Sequence, residues 1–185
     1  MIINITGGKP RQKELVRSMV KFAHKKLMPR MKNLELNIRI KDFGKDDSYG
    51  YCLPSDDTDL ARPREFDVDI NINQRQRRLL ETVAHEMVHV KQFARGELYE
   101  STAQGKHRWQ GEWLSNGSKS LMDYYDQPWE IEAHGREVGL FIRWAECNLS
   151  LIHISEPTRP ERIGDSGVGV KKKRGGGGGG GGGGG

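Results

Sequence analysis

Apolar side chains follow two different periods along the first 148 residues, and the switches between them mark out elements. Residues 1–6 (MIINIT) form a short β-like run that ends at Gly7 and Gly8. From residue 10 to 28, Leu15, Met19, Phe22, Ala23 and Leu27 recur three or four apart, the spacing of one helix face. Pro10 suits a first helical turn, and Pro29 ends the run. Residues 34–43 then alternate, with Leu34, Leu36, Ile38 and Ile40 on one side, as a half-buried strand does. Residues 49–53 are a second short strand, and 54–63, rich in Asp, Ser and Pro, read as a loop. Residues 65–72 (EFDVDINI) alternate strictly, placing Phe66, Val68, Ile70 and Ile72 inward.

Helical spacing returns over 74–94, with Leu79, Leu80, Val83, Met87, Val90 and Phe93 on the apolar side and Gly96 as the stop. Residues 97–127 read as a long connection carrying glycines and aromatics. Pro128 opens a last helix to about Asn148, with Ile131, Val138, Phe141, Ile142 and Ala145 expected on its buried side. The order β-α-β-β-β-α-loop-α predicts an α+β fold: a small mixed sheet packed by the first and second helices, then a third helix.

Composition changes this picture mainly at the C-terminal end. Residues 149–159 (LSLIHISEPTR) match, at every position, the in-frame translation of a transposon-end sequencing adapter, and residues 175–185 are all glycine. The expectation is a domain over 1–148 and a disordered, artefactual tail over 149–185. The tail holds six of the 30 basic and three of the 25 acidic residues, so the remainder carries 24 and 22, a net charge of +2 rather than +5. Whole-chain basicity therefore gives little support to a nucleic-acid partner. The first helix is still basic (Lys9, Arg11, Lys13, Arg17, Lys21, Lys25, Lys26), which reads first as a solvated face and second as a DNA contact. No apolar run reaches the ~20 residues of a membrane span, no signal peptide is visible, and Cys52 and Cys147 form no C-x-x-C pair. These features point to a cytoplasmic monomer.

The chemistry concentrates at His85-Glu86-Met87-Val88-His89. Two histidines four apart leave a helix on the same face, one turn apart, and can grip one Zn²⁺. Glu86 is then next to the ion without being a ligand, the position of a general base. Chance alone would place such a motif in a chain of this composition about one time in a hundred. A catalytic zinc also needs a third protein ligand. Glu130 is the leading candidate, sharing a face with Ala133 and His134, where His134 would hydrogen-bond behind the ligand. Glu132 is the alternative, with His134 and His107 behind it. Tyr124, Tyr125, His107 and His134 are candidates for stabilising an oxyanion, and the strand over 65–72 is the expected edge on which an extended peptide would pair.

The segments HEMVHVKQFARGE (residues 85–97) and QPWEIEAHGRE (residues 127–137) resemble the phage metallopeptidases related to SprT-like and gluzincin-type zincins. The resemblance covers most of residues 1–148. It implies a zincin-like fold, a peptide or protein substrate, a host-cytoplasm location if phage-encoded, His85 and His89 as metal ligands, and Glu86 as the catalytic residue. Gluzincins with a Glu-x-x-Ala/Ser-Asp segment use its first Glu as ligand, which matches Glu130; here His134 replaces the Asp. SprT-type proteins often use a third histidine, and no residue here follows that spacing. The readings to be compared are a zinc peptidase, a zinc-stabilised adaptor without turnover, and a DNA-associated protein.

Overall fold

The computed structural model describes residues 1–55, 61–101, 106–114 and 121–148; the expected tail lies outside the described residues. The fold is α+β. Strand β1 (Ile2–Gly7) leads through helix α1 (Pro10–Leu27) to β2 (Glu35–Lys41), which pairs with β1 in parallel. β3 (Gly50–Pro54) and β4 (Glu65–Asn71) follow, and the sheet order is β1-β2-β4-β3. β4 is parallel to β2 and β3 is antiparallel to β4, so the sheet is mixed. β4 is therefore interior, and the expectation that it forms the edge is corrected: the edge beside it is β3. Local alternation specifies which residues share a face, but it does not specify strand order.

One face of the sheet is apolar. Leu36, Ile38, Ile40, Phe66, Val68 and Ile70 are each at most 3% exposed and pack with Leu15, Val16, Met19, Val20 and Ala23 of α1. The opposite face is polar: Arg39 pairs with Asp67 and Asp69, Lys41 pairs with Asp69, and Asn37 bridges Asn4 and Glu65. A sheet with one apolar face needs one covering layer, and α1 and α2 supply it. Gly7, at φ 68°, ends β1 where a Cβ would fall 2.0 Å from the Ile40 carbonyl oxygen.

Helix α2 (Gln76–Arg95) is buried on every side from Leu79 to Ala94 and ends on Gly96 in the left-handed conformation, whose N–H caps the Gln92 and Phe93 carbonyls. Helix α4 (Pro128–Cys147) lies across it. The buried face of α4 differs from the expectation: Trp129, Ala133, Leu140 and Trp144 point inward, whereas Ile131 and Val138 are exposed at 58% and 38%. The two tryptophans set the phase, since each buries more area than an aliphatic side chain. The region expected to be a plain connection holds a second sheet, β5 (Leu98–Ser101), β6 (Lys106–Trp109) and β7 (Glu112–Leu114), and a short helix α3 (Leu121–Tyr125). No described helix is long and apolar enough to cross a membrane.

Candidate metal centre

Polar residues interrupt the buried surface of α2 at His85, Glu86 and His89, which are 8%, 4% and 8% exposed. Isolated buried polar groups cost several kcal/mol unless something satisfies them. The far nitrogen of each imidazole is satisfied by an oxygen. His85 Nδ1 donates to Glu137 Oε2 at 2.8 Å, and His89 Nδ1 donates to Gln92 Oε1 at 2.8 Å. With Nδ1 carrying the proton, each neutral ring presents an unprotonated Nε2.

Those two Nε2 atoms are 3.0 Å apart. The Glu130 carboxylate closes a triangle, with Oε2 3.4 Å from His85 Nε2 and Oε1 3.4 Å from His89 Nε2. Glu130 is 4% exposed, and its Oε2 has no hydrogen-bond partner. Two imidazole nitrogens and two carboxylate oxygens thus converge in one buried place, and in the metal-free protein a proton on His85 holds them together. Ligands about 2.05 Å from a tetrahedral ion lie about 3.4 Å from one another, close to the separations seen here. His85, His89 and Glu130 form one of two groups among the described residues able to hold a metal ion. The other, His85, His134 and Glu137, reuses His85.

Charge follows the same geometry. Burial pushes the His85 imidazole down, but Glu130 and Glu137, with Glu86 nearby, outweigh it and raise it to about 9. Burial pushes the Glu130 carboxyl up, yet the two histidines hold it well below the usual carboxylate range. Burial also raises Glu86, opposed by His89 and His85 and reinforced by Glu130 and Glu137, and the net shift is upward. Around the centre, Tyr124 of α3 lies against Glu130, and burial together with that carboxylate raises its phenol strongly.

The remaining sequence candidates lie around this group. Glu132 accepts from Lys91 and Gln92, at 2.7 and 3.1 Å, and is not part of the triangle. His134 lies tilted against His85 with ring centroids 4.5 Å apart, its Nε2 3.9 Å from Glu130 Oε2 and its Nδ1 3.2 Å from Glu137 Oε2, and the residue bonded behind His85 is Glu137. His107, on β6, lies against Trp129 and 3.7 Å from Glu100. Tyr125 packs against His134.

Three residues of the site went unseen in the sequence. Glu137 follows Glu130 by two turns on the same face of α4, a spacing that was available to be read. Gln92 follows His89 by three. Gly50 allows β3 to lie over α2: a Cβ there would meet Glu86 Oε1 at 2.6 Å and Thr82 Cγ2 at 2.8 Å.

Two cavities flank the centre, and Gly50, Tyr51, His85, Glu86 and Tyr124 line both. One, of about 150 Å³, extends toward His89, Phe93, Leu98 and Trp129. The other, of about 390 Å³, extends toward Arg78, Thr82, His134 and Glu137. The arrangement can hold a metal ion with Glu86 beside it and space for a ligand on either side. No protein-family model, curated protein or solved structure matches the chain.

Proposed function

We propose that this chain is a zinc-dependent peptidase of the zincin type, related to the SprT-like and gluzincin-type phage metallopeptidases. The observation that carries the reading is the triangle of His85 Nε2, His89 Nε2 and the Glu130 carboxylate, with 3.0 Å between the nitrogens and 3.4 Å from each nitrogen to a different carboxylate oxygen, bordered by Glu86 in the same cavities. Two imidazoles and one carboxylate suit zinc, and three protein ligands leave a position open, as catalytic rather than structural sites do. When bound there, zinc supplies a lowered water pKa and a polarised scissile carbonyl.

The chain's own residues do the rest. Glu86, pushed up by burial, takes a proton from the attacking water and returns it to the departing amine. The Tyr124 phenol, kept protonated, faces Glu130 and can donate a hydrogen bond to developing negative charge on the substrate oxygen. The substrate backbone pairs by strand addition with β3, the edge strand among the described residues, with its side chains entering the cavities on either side. Free Cys52 and Cys147 agree with a reducing, cytoplasmic setting.

An adaptor that only uses the metal for stability would have no need for a carboxylate buried beside it, and Glu86 counts against that reading. The DNA reading rests on α1, where Arg11 and Arg17 are already engaged with Glu14 and the Ile3 carbonyl. The test is Glu86→Gln with zinc content measured beside peptide cleavage. The expected result is full zinc and turnover reduced about 10²–10⁴-fold. Full zinc with undiminished cleavage would remove Glu86 from its role, and a parent that binds no zinc would end the metal reading.

A further inference from the structure

We propose that Gln92 and Glu132 are positioning residues that hold His89 in the tautomer a metal ligand requires, an inference that rests on the metal reading above. His89 can present a lone pair at Nε2 only while its proton sits on Nδ1, and the partner of Nδ1 decides this. That partner is a carboxamide, which has an accepting end and a donating end. Turned over, Gln92 would face Nδ1 with its NH₂, Nδ1 would have to accept, and the proton would move to Nε2, where the ion belongs.

The other end of Gln92 prevents the turn. Its Nε2 donates to the Trp129 carbonyl at 2.9 Å and to Glu132 Oε2 at 3.1 Å. Reversing the amide would press its oxygen against two acceptors. Gln92 is 0% exposed, which leaves no room for water to mediate. Glu132 cannot turn aside either. It holds Lys91 Nζ at 2.7 Å and Arg136 Nε at 2.9 Å, and Lys91, with a side chain only 8% exposed, is also tied to Glu97 at 2.6 Å. The proton on His89 is thus placed by α4, through a carboxylate that is not itself a ligand. Glu130 and Glu132, two residues apart, act in successive layers: one on the ion, the other on the group that orients its partner ligand.

The test uses the full chain. Multiple-bond ¹H–¹⁵N NMR of the metal-stripped protein reports the tautomer, and competition with a chromophoric chelator reports zinc affinity. The parent is expected to show His89 protonated at Nδ1. Gln92→Leu is expected to shift the proton to Nε2 and weaken zinc about 10–100-fold. Glu132→Leu is expected to act in the same direction, and Glu132→Gln, which keeps an acceptor, to recover most of that loss. A side chain merely filling space would not show this recovery. Glu132, at 20% exposure, tolerates change better than Gln92 and carries the test should Gln92→Leu not fold. A parent with His89 protonated at Nε2, or variants that bind zinc as tightly as the parent, overturns the proposal. A parent that holds Nδ1–H but binds no zinc defeats the metal reading and leaves the tautomer lock standing.

Discussion

His85 and His89 are one helical turn apart on α2, yet their surroundings are opposite in kind. Behind His85 stands a carboxylate, Glu137, which also accepts from Arg78 at 3.2 Å and opens onto the larger cavity. Behind His89 stands a neutral amide, backed by Glu132, Lys91 and Glu97 and closed off by Trp129. A carboxylate makes its histidine more basic; an amide orients its histidine and adds no charge. The His85 flank is therefore the electrostatic side of the centre, responsive to pH and adjoining the larger of the two cavities. The His89 flank is the rigid side, where α2 and α4 are joined.

The largest effect is expected on the rigid flank. Lys91→Met leaves Glu97 and Glu132 without their shared cation and with only Arg95 and Arg136 beside them, and losing such a charged hydrogen-bond partner costs about 1.5–3 kcal/mol. Urea unfolding measures it; a loss below about 1 kcal/mol would show that this flank is not what joins the helices.

Next comes the pH response of the other flank. In the metal-free protein His85 titrates at about 9, above the 6.5 of an unperturbed histidine. Its contribution to stability is present in full below pH 6.5 and is lost as pH rises through 9. Zinc must displace that proton, so the slope has the opposite sign for binding. Apparent zinc affinity rises with pH, by up to about tenfold per unit, and levels off near pH 9. Isothermal titration in buffers of different ionisation enthalpy counts the released proton.

Glu137→Gln sharpens the contrast. It keeps an acceptor for His85 Nδ1 and removes the charge. Zinc affinity should fall about 10–100-fold, and its plateau should move toward pH 6.5. An unchanged pH profile would mean that the two flanks do not differ electrostatically.

The smallest change expected is from Gly50→Ala. The added Cβ meets Glu86 Oε1, Thr82 Cγ2 and the Asp69 carbonyl oxygen, of which only the Glu86 carboxylate is the end of a flexible side chain, so at least about 1 kcal/mol of stability is at risk. Zinc content should stay intact while turnover falls, because the displaced group is Glu86 and not a ligand. Loss of zinc instead would place Gly50 in the support of the histidines.

Much of the first layer was legible because periodicity and burial coincide there. Leu36, Ile38 and Ile40, and Phe66, Val68 and Ile70, alternate in the sequence and lie on one face of the sheet. The two histidines and Glu130 could be picked out because four-residue spacing and a helix opening at Pro128 are local signals. What escaped was non-local or too short. β5, β6 and β7 have four, four and three residues, too few for alternation to emerge from a polar background. The position of β3 at the edge depends on pairing across the sheet, and the Glu137–His85 bond joins residues 52 apart in sequence. On α4, Ile131 and Val138 suggested the wrong phase because two exposed aliphatics outweigh buried carboxylates in any hydrophobicity count. The inward face there includes Glu130 and Glu137.

The unequal burial of the two ligand-bearing helices has a kinetic consequence. α2 is enclosed along sixteen consecutive residues and can open only with the whole molecule, whereas α4 turns one face to solvent. Glu130, Glu132 and Glu137 all ride on α4. A single local undocking of that helix would strip the centre of one ligand and both supporting carboxylates at once, while the histidine pair stayed in place. The residence time of an ion bound there would then be set by how often α4 lifts away, and a partner that pinned α4 down would slow metal exchange without touching a ligand.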